Sequence, residues 1–524
     1  MKFFNTAGPV NCEDHYCLSP LDRIDFQEVL SLIHQKKYFI LHAPRQTGKT
    51  SCLLELMNYL NQEGKYDALY INIEAAQAER ENISGAMRVI LSEFATCARF
   101  YLKNIKMKEI KESILKEAGN NALSEILTQW TETSERPTVL FIDEIDSLVG
   151  DTLISVLRQL RAGYNRRPAS FPQSIILCGI RDVRDYRIHS SSEKAIITGG
   201  SAFNIKAESL KLGSFTREEM AQLYYCHTVE TGQTFTDLAL EVAWTYSEGQ
   251  PWIVNALGYE SCFKMKENRD RSLSITQNHM QQAVENLILR RDTHIDQLLD
   301  KLKEERVRKV IEPIMINEDD PKEVTEDDIL YLKDLGLIKI DKSIRIANQL
   351  YKEVIPRALT FSTQVTITHD SSWYVNADGK IDMNKLMQAF QDFFRKHYDE
   401  WSADFQYREA SVQLLLQAFL QRIVNSGGYI FREYGLGRKR TDLLVTWYYQ
   451  DSKQEIVIEL KIRYQDTDKV IQEGLTQTAE YMDKCGATQG HLVIFDRRKK
   501  VSWEEKIFHK ELAHDGKTIM VWGM

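Results

Sequence analysis

Residues 38–50, "YFILHAPRQTGKT", constrain the fold more than any other stretch of this chain. The apolar run from Tyr38 to Leu41 ends in a loop, and Gly48-Lys49-Thr50 opens the amphipathic segment "SCLLELMNYL". That is the strand–loop–helix context a phosphate-binding loop requires. The backbone N–H groups of Arg45, Gln46, Thr47 and Gly48, leading into a helix N-terminus, suit an anionic β-phosphate, since unpaired donors and the helix dipole both favour negative charge there. Lys49 is expected to reach the β/γ-phosphates and the Thr50 hydroxyl to ligate Mg2+. Ala43 stands where such loops usually place their first glycine.

Two further runs complete that chemistry. In "TVLFIDEID" (138–146) four apolar residues suit a strand buried on both faces of a parallel sheet, with Asp143 and Glu144 at its C-terminal end. Asp143 is expected to hold the Mg2+ shell and Glu144 to polarise an attacking water. The run "SIILCGI" (174–180) reads as another buried strand that delivers Arg181 and Arg184 to the same end. Either is expected to sense a γ-phosphate or to act as an arginine finger, in cis or across subunits.

A chain of 524 residues has room for several domains, and 43% apolar with 27% charged residues is ordinary for a soluble globular protein. A net charge of −8 makes the whole molecule a poor electrostatic magnet for nucleic acid. Residues 401–524, however, hold 18 Lys/Arg against 17 Asp/Glu, which leaves room for a basic patch at that end. The eight cysteines (12, 17, 52, 97, 178, 226, 262, 485) show no CxxC pair and no Cys/His cluster. Neither a zinc site nor a disulfide framework is expected, and a reducing cytoplasm fits. No run approaches the ~20 apolar residues of a membrane helix, and the N-terminus lacks a signal-peptide core.

The segments "APRQTGKT" and "LFIDEID" resemble the ATPase module of AAA-like proteins in the ASCE branch of P-loop ATPases. "GIRDVRDY" (179–186) adds to the likeness, and "EGQPWIVNAL" (248–257) resembles the GxP signature of the STAND-type, archaeal-ATPase-like group through Gly249 and Pro251. In that group the proline lies beside the nucleotide, and "PLDRID" (20–25) resembles the segment that flanks the adenine. Where a polar sensor residue is expected after the fourth strand, Cys178-Gly179-Ile180 stands instead. The likeness spans roughly residues 15–290 and implies a bound ATP with Mg2+. Beyond the core, "SFTREEMAQLYYCHTVETGQ" reads as a lid helix, with Ser214 or Thr216 as its cap and Glu219 completing a capping box with Thr216. The segment "EVTEDDILYLKDLGLIKIDKSIRIANQLYKEVIP" reads as a helix broken at "DLGLI" and followed by two short strands, resembling a winged helix. Its acidic run "NEDDPKEVTEDD" (317–328) would repel phosphates, so a regulatory role is favoured over DNA reading.

Near the C-terminus, "IVIELKIR" (456–463) alternates apolar residues with charged ones. Period-2 geometry projects Glu459 and Lys461 from one strand face. Asp442 opens the strand before a polar turn at 450–454, so a hairpin would set it beside that pair. Two carboxylates able to hold Mg2+ and a cation beside them are what phosphodiester hydrolysis needs. The arrangement D-x16-E-x-K resembles the core of PD-(D/E)xK nucleases, with Thr441 where that pattern names proline. Glu409, in the preceding helix, would add a carboxylate. Gln477 and Tyr481 match the QxxxY motif of RecB-like and Cas4-like nucleases, where these groups buttress the metal and the DNA strand. The order implied is α–β–β–β–α–β, with "HLVIFD" (491–496) as the last strand. Arg438–Arg440 and Arg497–Lys500 are candidate phosphate contacts.

The expected fold class is α/β multidomain. It comprises a P-loop AAA-like core with a parallel sheet (1–207), a helical lid (208–295) and a winged-helix-like domain (296–360). A linker and helix (361–399) and a restriction-endonuclease-like α/β domain (400–524) complete it. The resemblance implies an ATP-regulated, Mg2+-dependent nuclease, with Mn2+ as a substitute, acting on DNA rather than RNA in antiphage or mobile-element defence. Expected partners are nucleic acid, further copies of the chain and a triggering protein, with no membrane, in the cytoplasm. The alternative is a signalling or scaffold ATPase whose nuclease-fold module binds DNA or a protein without cutting.

Overall fold

A computed structural model describes residues 2–524 apart from 118, 183–186, 191–194, 291–292, 316–323, 342, 360–373, 405–415, 417–418, 421–427, 437–438, 450–451, 464–466, 497 and 499–500. The chain forms two compact units, one of residues 1–298 with 325–350 and the other of residues 299–324 with 351–524.

The first unit is built on five parallel strands: β1 (Tyr38–His42), β2 (Asp67–Asn72), β3 (Thr138–Asp143), β4 (Ser174–Gly179) and, after a small hairpin of β5 (Arg187–Ser190) and β6 (Ala195–Thr198), β7 (Lys206–Lys211). Their order is β2-β3-β4-β1-β7. β3 and β4 are buried at every position, as near-continuous apolar runs in a parallel sheet must be. Because chain order and sheet order differ, the C-terminal ends of β1, β3 and β4 open onto one crevice, where open α/β sheets bind ligands. Two apolar cores lie on opposite faces of the sheet: Tyr38, Ile40, Leu140 and Ile142 point into one, Phe39, Leu41, Val139 and Phe141 into the other.

The lid helix Arg217–Thr231 starts with the expected capping box: Thr216 Oγ1 accepts from the Glu219 N–H and Glu219 accepts from the Thr216 N–H. Pro251 occupies the first turn of helix Pro251–Tyr259, where its missing N–H costs nothing. Helix Glu326–Asp334 leads into the antiparallel hairpin β8 (Ile338–Ile340) and β9 (Ile344–Ile346).

Residues 2–17 form a strap on the lid. Phe4 is fully buried against Tyr16, Tyr224, His227 and Phe263. A disulfide joins Cys12 to Cys17 within it. The cysteine pattern predicts no disulfide framework; the strap overturns that, because the turn closed by the Asp14 and His15 N–H bonds to the Asn11 carbonyl brings Cys12 and Cys17 together.

The second unit carries a six-stranded mixed sheet in the order β10-β11-β12-β13-β15-β14, from β10 (Gly428–Leu436), β11 (Lys439–Tyr449), β12 (Ser452–Arg463), β13 (Gln489–Asp496), β14 (Phe508–His514) and β15 (Lys517–Gly523). β11 and β12 are antiparallel, β12 and β13 parallel, with helix Thr467–Cys485 crossing between them. The last two strands extend the sheet beyond the expected order. Ile456, Ile458 and Leu460 enter one core with Phe390 and Phe419; Val457 enters the other with Leu475, Tyr481 and Met482.

Candidate functional site

The loop from Ala43 to Gly48 leaves β1 and turns into helix Lys49–Glu63. Gly48 sits at φ +92°, a left-handed conformation that favours glycine, and an added Cβ would lie 2.9 Å from Arg23 Nη1. Lys49 is buried and donates to the carbonyls of Ala43 and Pro44, each at 2.9 Å, so it is folded back across the loop. Thr50 Oγ1 donates to Asp143 Oδ2 at 2.7 Å, and Tyr70 OH donates to the same oxygen at 2.9 Å. Thr50 and Asp143, from helix and β3, thus present two hard oxygens side by side, a donor set that fits Mg2+. Glu144 follows at φ 58°; burial first, then the charges of Asp146 and Asp143, raise its carboxyl above the usual range. A carboxyl so raised suits proton transfer to or from a water.

Arg45 is exposed, and Gln46 holds φ 56° at the loop tip, where His294 bonds its Oε1. Arg23 bonds the carbonyls of Thr47 and Gly213 and lies over the Phe215 ring, joining the loop to the start of the lid. Burial lowers its pKa to about 10. Gly249 sits at φ +78°, and its carbonyl accepts from the Phe215 N–H at 2.8 Å. A cavity opens between the loop and the lid, walled by Gly48, Ser51, Leu18, Phe215, Pro251 and Trp252. Sequence reasoning placed Gly48 and Pro251 there. It missed the strap, Phe215 and Trp252, which reach the cavity only through tertiary packing; the likeness at "PLDRID" was the one signal pointing that way.

Arg181 is buried at the end of β4, but it faces carboxylates of the segment made of helix Glu326–Asp334 and its hairpin. Its Nε donates to Asp334 at 3.1 Å, Asp327 lies 3.6 Å away, and Tyr331 stacks under the guanidinium. The same segment touches the site twice more. A Cβ on Gly336 would fall 2.7 Å from Pro44 of the loop, and Lys339 and Arg345 bond Glu248, the residue before Gly249. Burial opposes ionisation of Glu248, yet the bonds from Arg345 and Lys339 hold its carboxyl below the usual range. Arg184 lies outside the described residues.

In the second unit, Glu459 and Lys461 lie together on β12, with Nζ donating to Oε1 at 2.7 Å. Period-2 alternation puts them on the same face as Val457, the face that helix Thr467–Cys485 covers with Tyr481. Gln477 lies on that helix, and its Oε1 is buried with no hydrogen-bond partner among the described residues. Asp442 belongs to β11, one residue beyond the pair Leu443–Ile458. Its side chain, like Glu409, lies outside the described residues, among which no cluster of three metal-ligating side chains occurs. Arg498 is not free for phosphate: it bonds Asp496 at 2.8 Å, and Arg463 bonds the same carboxylate from β12. No helix among the described residues is long and apolar enough to cross a membrane.

A parallel sheet whose strand ends gather a phosphate loop, a Thr–Asp pair and a following Glu defines a P-loop ATPase. The profile of the family described as AAA-like domain matches residues 21–355, and the chain belongs to that family. Among solved structures, the chain is similar to a Walker-type ATPase of Pyrococcus abyssi at 15% identity and a TM-score of 0.44, covering 67% of this chain and 99% of that one. It is also similar to the RuvB Holliday junction branch migration motor of Thermotoga maritima (14% identity, TM-score 0.34, covering 65% and 98%). A third is Cdc6p of Pyrobaculum aerophilum (14%, TM-score 0.34, covering 65% and 93%). Among curated proteins none matches.

Proposed function

We propose that ATP binding in the first unit gates a Mg2+-dependent phosphodiester hydrolysis carried by the second, with DNA as substrate and defence against phage or mobile elements as the role. The observation that supports the hydrolytic half is the pairing of Glu459 and Lys461 on the sheet face beneath Tyr481. In this reading Asp442, Glu459 and Glu409 would hold the metal, which supplies charge neutralisation and an acidified water. Lys461 sits where a cation can orient the nucleophile or offset charge on the phosphate. Gln477 would turn its unpaired oxygen to the metal-bound shell or the strand. Gating is supported by Arg181: the side chain suited to a γ-phosphate is held by Asp334, so phosphate and carboxylate compete for one guanidinium.

The near-complete burial of Glu459, 3% exposed, favours a second reading in which this module binds without cutting. Plasmid DNA and RNA incubated with wild type, Lys461→Ala and Lys49→Ala, with Mg2+ or Mn2+ and with or without ATP, separate the two. Cleavage that needs Lys461 and responds to ATP only while Lys49 is intact is expected. Absence of cleavage under every condition, or its survival in Lys461→Ala, sinks the nuclease assignment, and indifference to Lys49→Ala sinks the gating.

A further inference from the structure

The strap and its disulfide lie against the cavity beside the phosphate loop. Asn5 to Gly8, Val10 and Cys17 share the wall of that cavity with Gly48 and Ser51. The run is held where it crosses: Trp252 Nε1 donates to the Thr6 carbonyl at 3.0 Å, and the Val10 N–H donates to Ser51 Oγ at 2.9 Å. Both ends are anchored in the lid. Phe4 is buried among lid rings, and the buried Tyr16 hydroxyl meets His227 Nδ1 at 3.0 Å. Between Val10 and Tyr16 the chain makes the Asn11 turn, whose bonds to the His15 and Asp14 side chains are exposed. The Cys12–Cys17 bond closes that turn covalently beside the Tyr16 anchor, so the run over the cavity is pinned at both ends. Cys12 is exposed, whereas the six free cysteines are buried or half-buried. A thiolate can therefore reach this bond from solvent.

We propose that Cys12–Cys17 is a reversible redox site whose state sets how fast nucleotide leaves the cavity, with a dithiol as its reductant. One thiolate of the dithiol attacks the exposed Cys12 sulfur, forms a mixed disulfide and releases the Cys17 thiolate, which takes up a proton. The second thiolate attacks the mixed disulfide and releases Cys12, and the reductant leaves as a disulfide. Two electrons and two protons thus pass to the strap. Reduction leaves the Tyr16 end of the run to hydrogen bonds open to water, each of small net worth. A cross-link closing so short a loop restricts the lifted strap by roughly 30–40-fold, which is the ceiling on how much oftener a reduced strap lifts. This rests on the nucleotide reading of the phosphate loop and adds a control to it.

Release of mant-ADP from the full chain with Mg2+, chased by excess ADP, is timed after treatment with oxidised glutathione and after dithiothreitol, in wild type and Cys12→Ser. Alkylation followed by peptide mass reports the state of both sulfurs. Oxidised wild type is expected to protect Cys12 and Cys17 and to release mant-ADP at least about fivefold more slowly than reduced wild type, within the ceiling above. Cys12→Ser should release at the reduced rate whether or not dithiothreitol is present. If wild type binds no mant-ADP in either state, the phosphate-loop reading falls and this proposal with it. If mant-ADP binds but both sulfurs stay open to alkylation after oxidation, or release is equal in the two states, redox control is overturned while the phosphate loop stands. An effect of dithiothreitol that persists in Cys12→Ser belongs to another thiol and overturns it too. Should the variant fail to fold, wild type decides through amide exchange across residues 5–11. Exchange that rises on reduction together with release supports the proposal, and exchange that does not rise overturns it.

Discussion

Substituting Asp334→Asn tests whether Arg181 is the hinge of a nucleotide-gated clamp. The side chains of Arg181 and Asp334 are 8% and 13% exposed, so their attraction is little screened. Removing one partner of a buried ion pair costs about 3–5 kcal/mol, because the other charge is left uncompensated. Here Arg181 keeps Asp327 at 3.6 Å and the Tyr331 ring at 5.1 Å, which lowers the expected loss to about 2–3 kcal/mol. That energy is a shift of roughly 30–150-fold toward release of helix Glu326–Asp334. If ATP needs Arg181 free, linkage requires the same energy to appear as tighter ATP binding, up to the same factor. Amide hydrogen exchange across 326–334 reads the first effect, and equilibrium ATP binding the second. In wild type, ATP should itself raise exchange over this helix; in Asp334→Asn, exchange should already be high without nucleotide. Exchange that ignores both ATP and the substitution refutes the clamp. Exchange that rises in Asp334→Asn while ATP affinity stays put would leave a structural ion pair and remove Arg181 from the phosphate site.

Two further perturbations probe the frame around the site. In Gly249→Ala the new Cβ would lie 2.0 Å from the Phe215 carbonyl oxygen, at φ +78°, so relief requires breaking the Phe215–Gly249 backbone bond. A loss of about 3 kcal/mol is expected in denaturant melting, whereas Gly213→Ala, with nothing within 4 Å of its Cβ, should cost far less; equal losses would contradict the packing. His294 and His491, one in each unit, are pushed by burial to about 4 from 6.5. The unfolded chain takes up their protons between those values and the folded chain does not, so stability is full above pH 6.5 and falls as pH drops toward 4. At pH 5 each should cost about 2 kcal/mol, and His294→Gln and His491→Gln should each flatten the pH profile of the urea midpoint; unchanged profiles would place these rings in water.

Much of the first unit was legible because its signals are local. β1, β3 and β4 are apolar runs too short for helices, and the polar residues that bound them, Lys49, Thr50, Asp143 and Glu144, stand next to them in the sequence. The capping box at Thr216 and the proline opening helix Pro251–Tyr259 are likewise decided within four residues. What escaped was set at a distance. Arg181 was carried to the right end of its strand, but its partner lies 153 positions further on, and no local pattern says whether an arginine there will meet phosphate or carboxylate. The strap carries neither helical nor strand periodicity; Phe4 sinks among rings of the lid, and the turn at Asn11 brings Cys12 to Cys17.

The alternation in "IVIELKIR" gave the right parity and hid its meaning. A half-buried strand would show Glu459 and Lys461 to water, yet β12 is the third strand of six, covered on both faces, and Glu459 is 3% exposed. A carboxylate in such a place is costly to ionise unless it is paired, and here its pair is a lysine two residues along the same strand. If stability were all that shaped this strand, two apolar residues would serve as well or better, as they do at Val457 and Leu460. An ion pair retained beneath a helix that also buries a Gln477 oxygen with no partner among the described residues is the feature of this face that stability alone does not call for. A covered ion pair that stability does not require is a ground independent of the motif for assaying the second unit for chemistry as well as for binding.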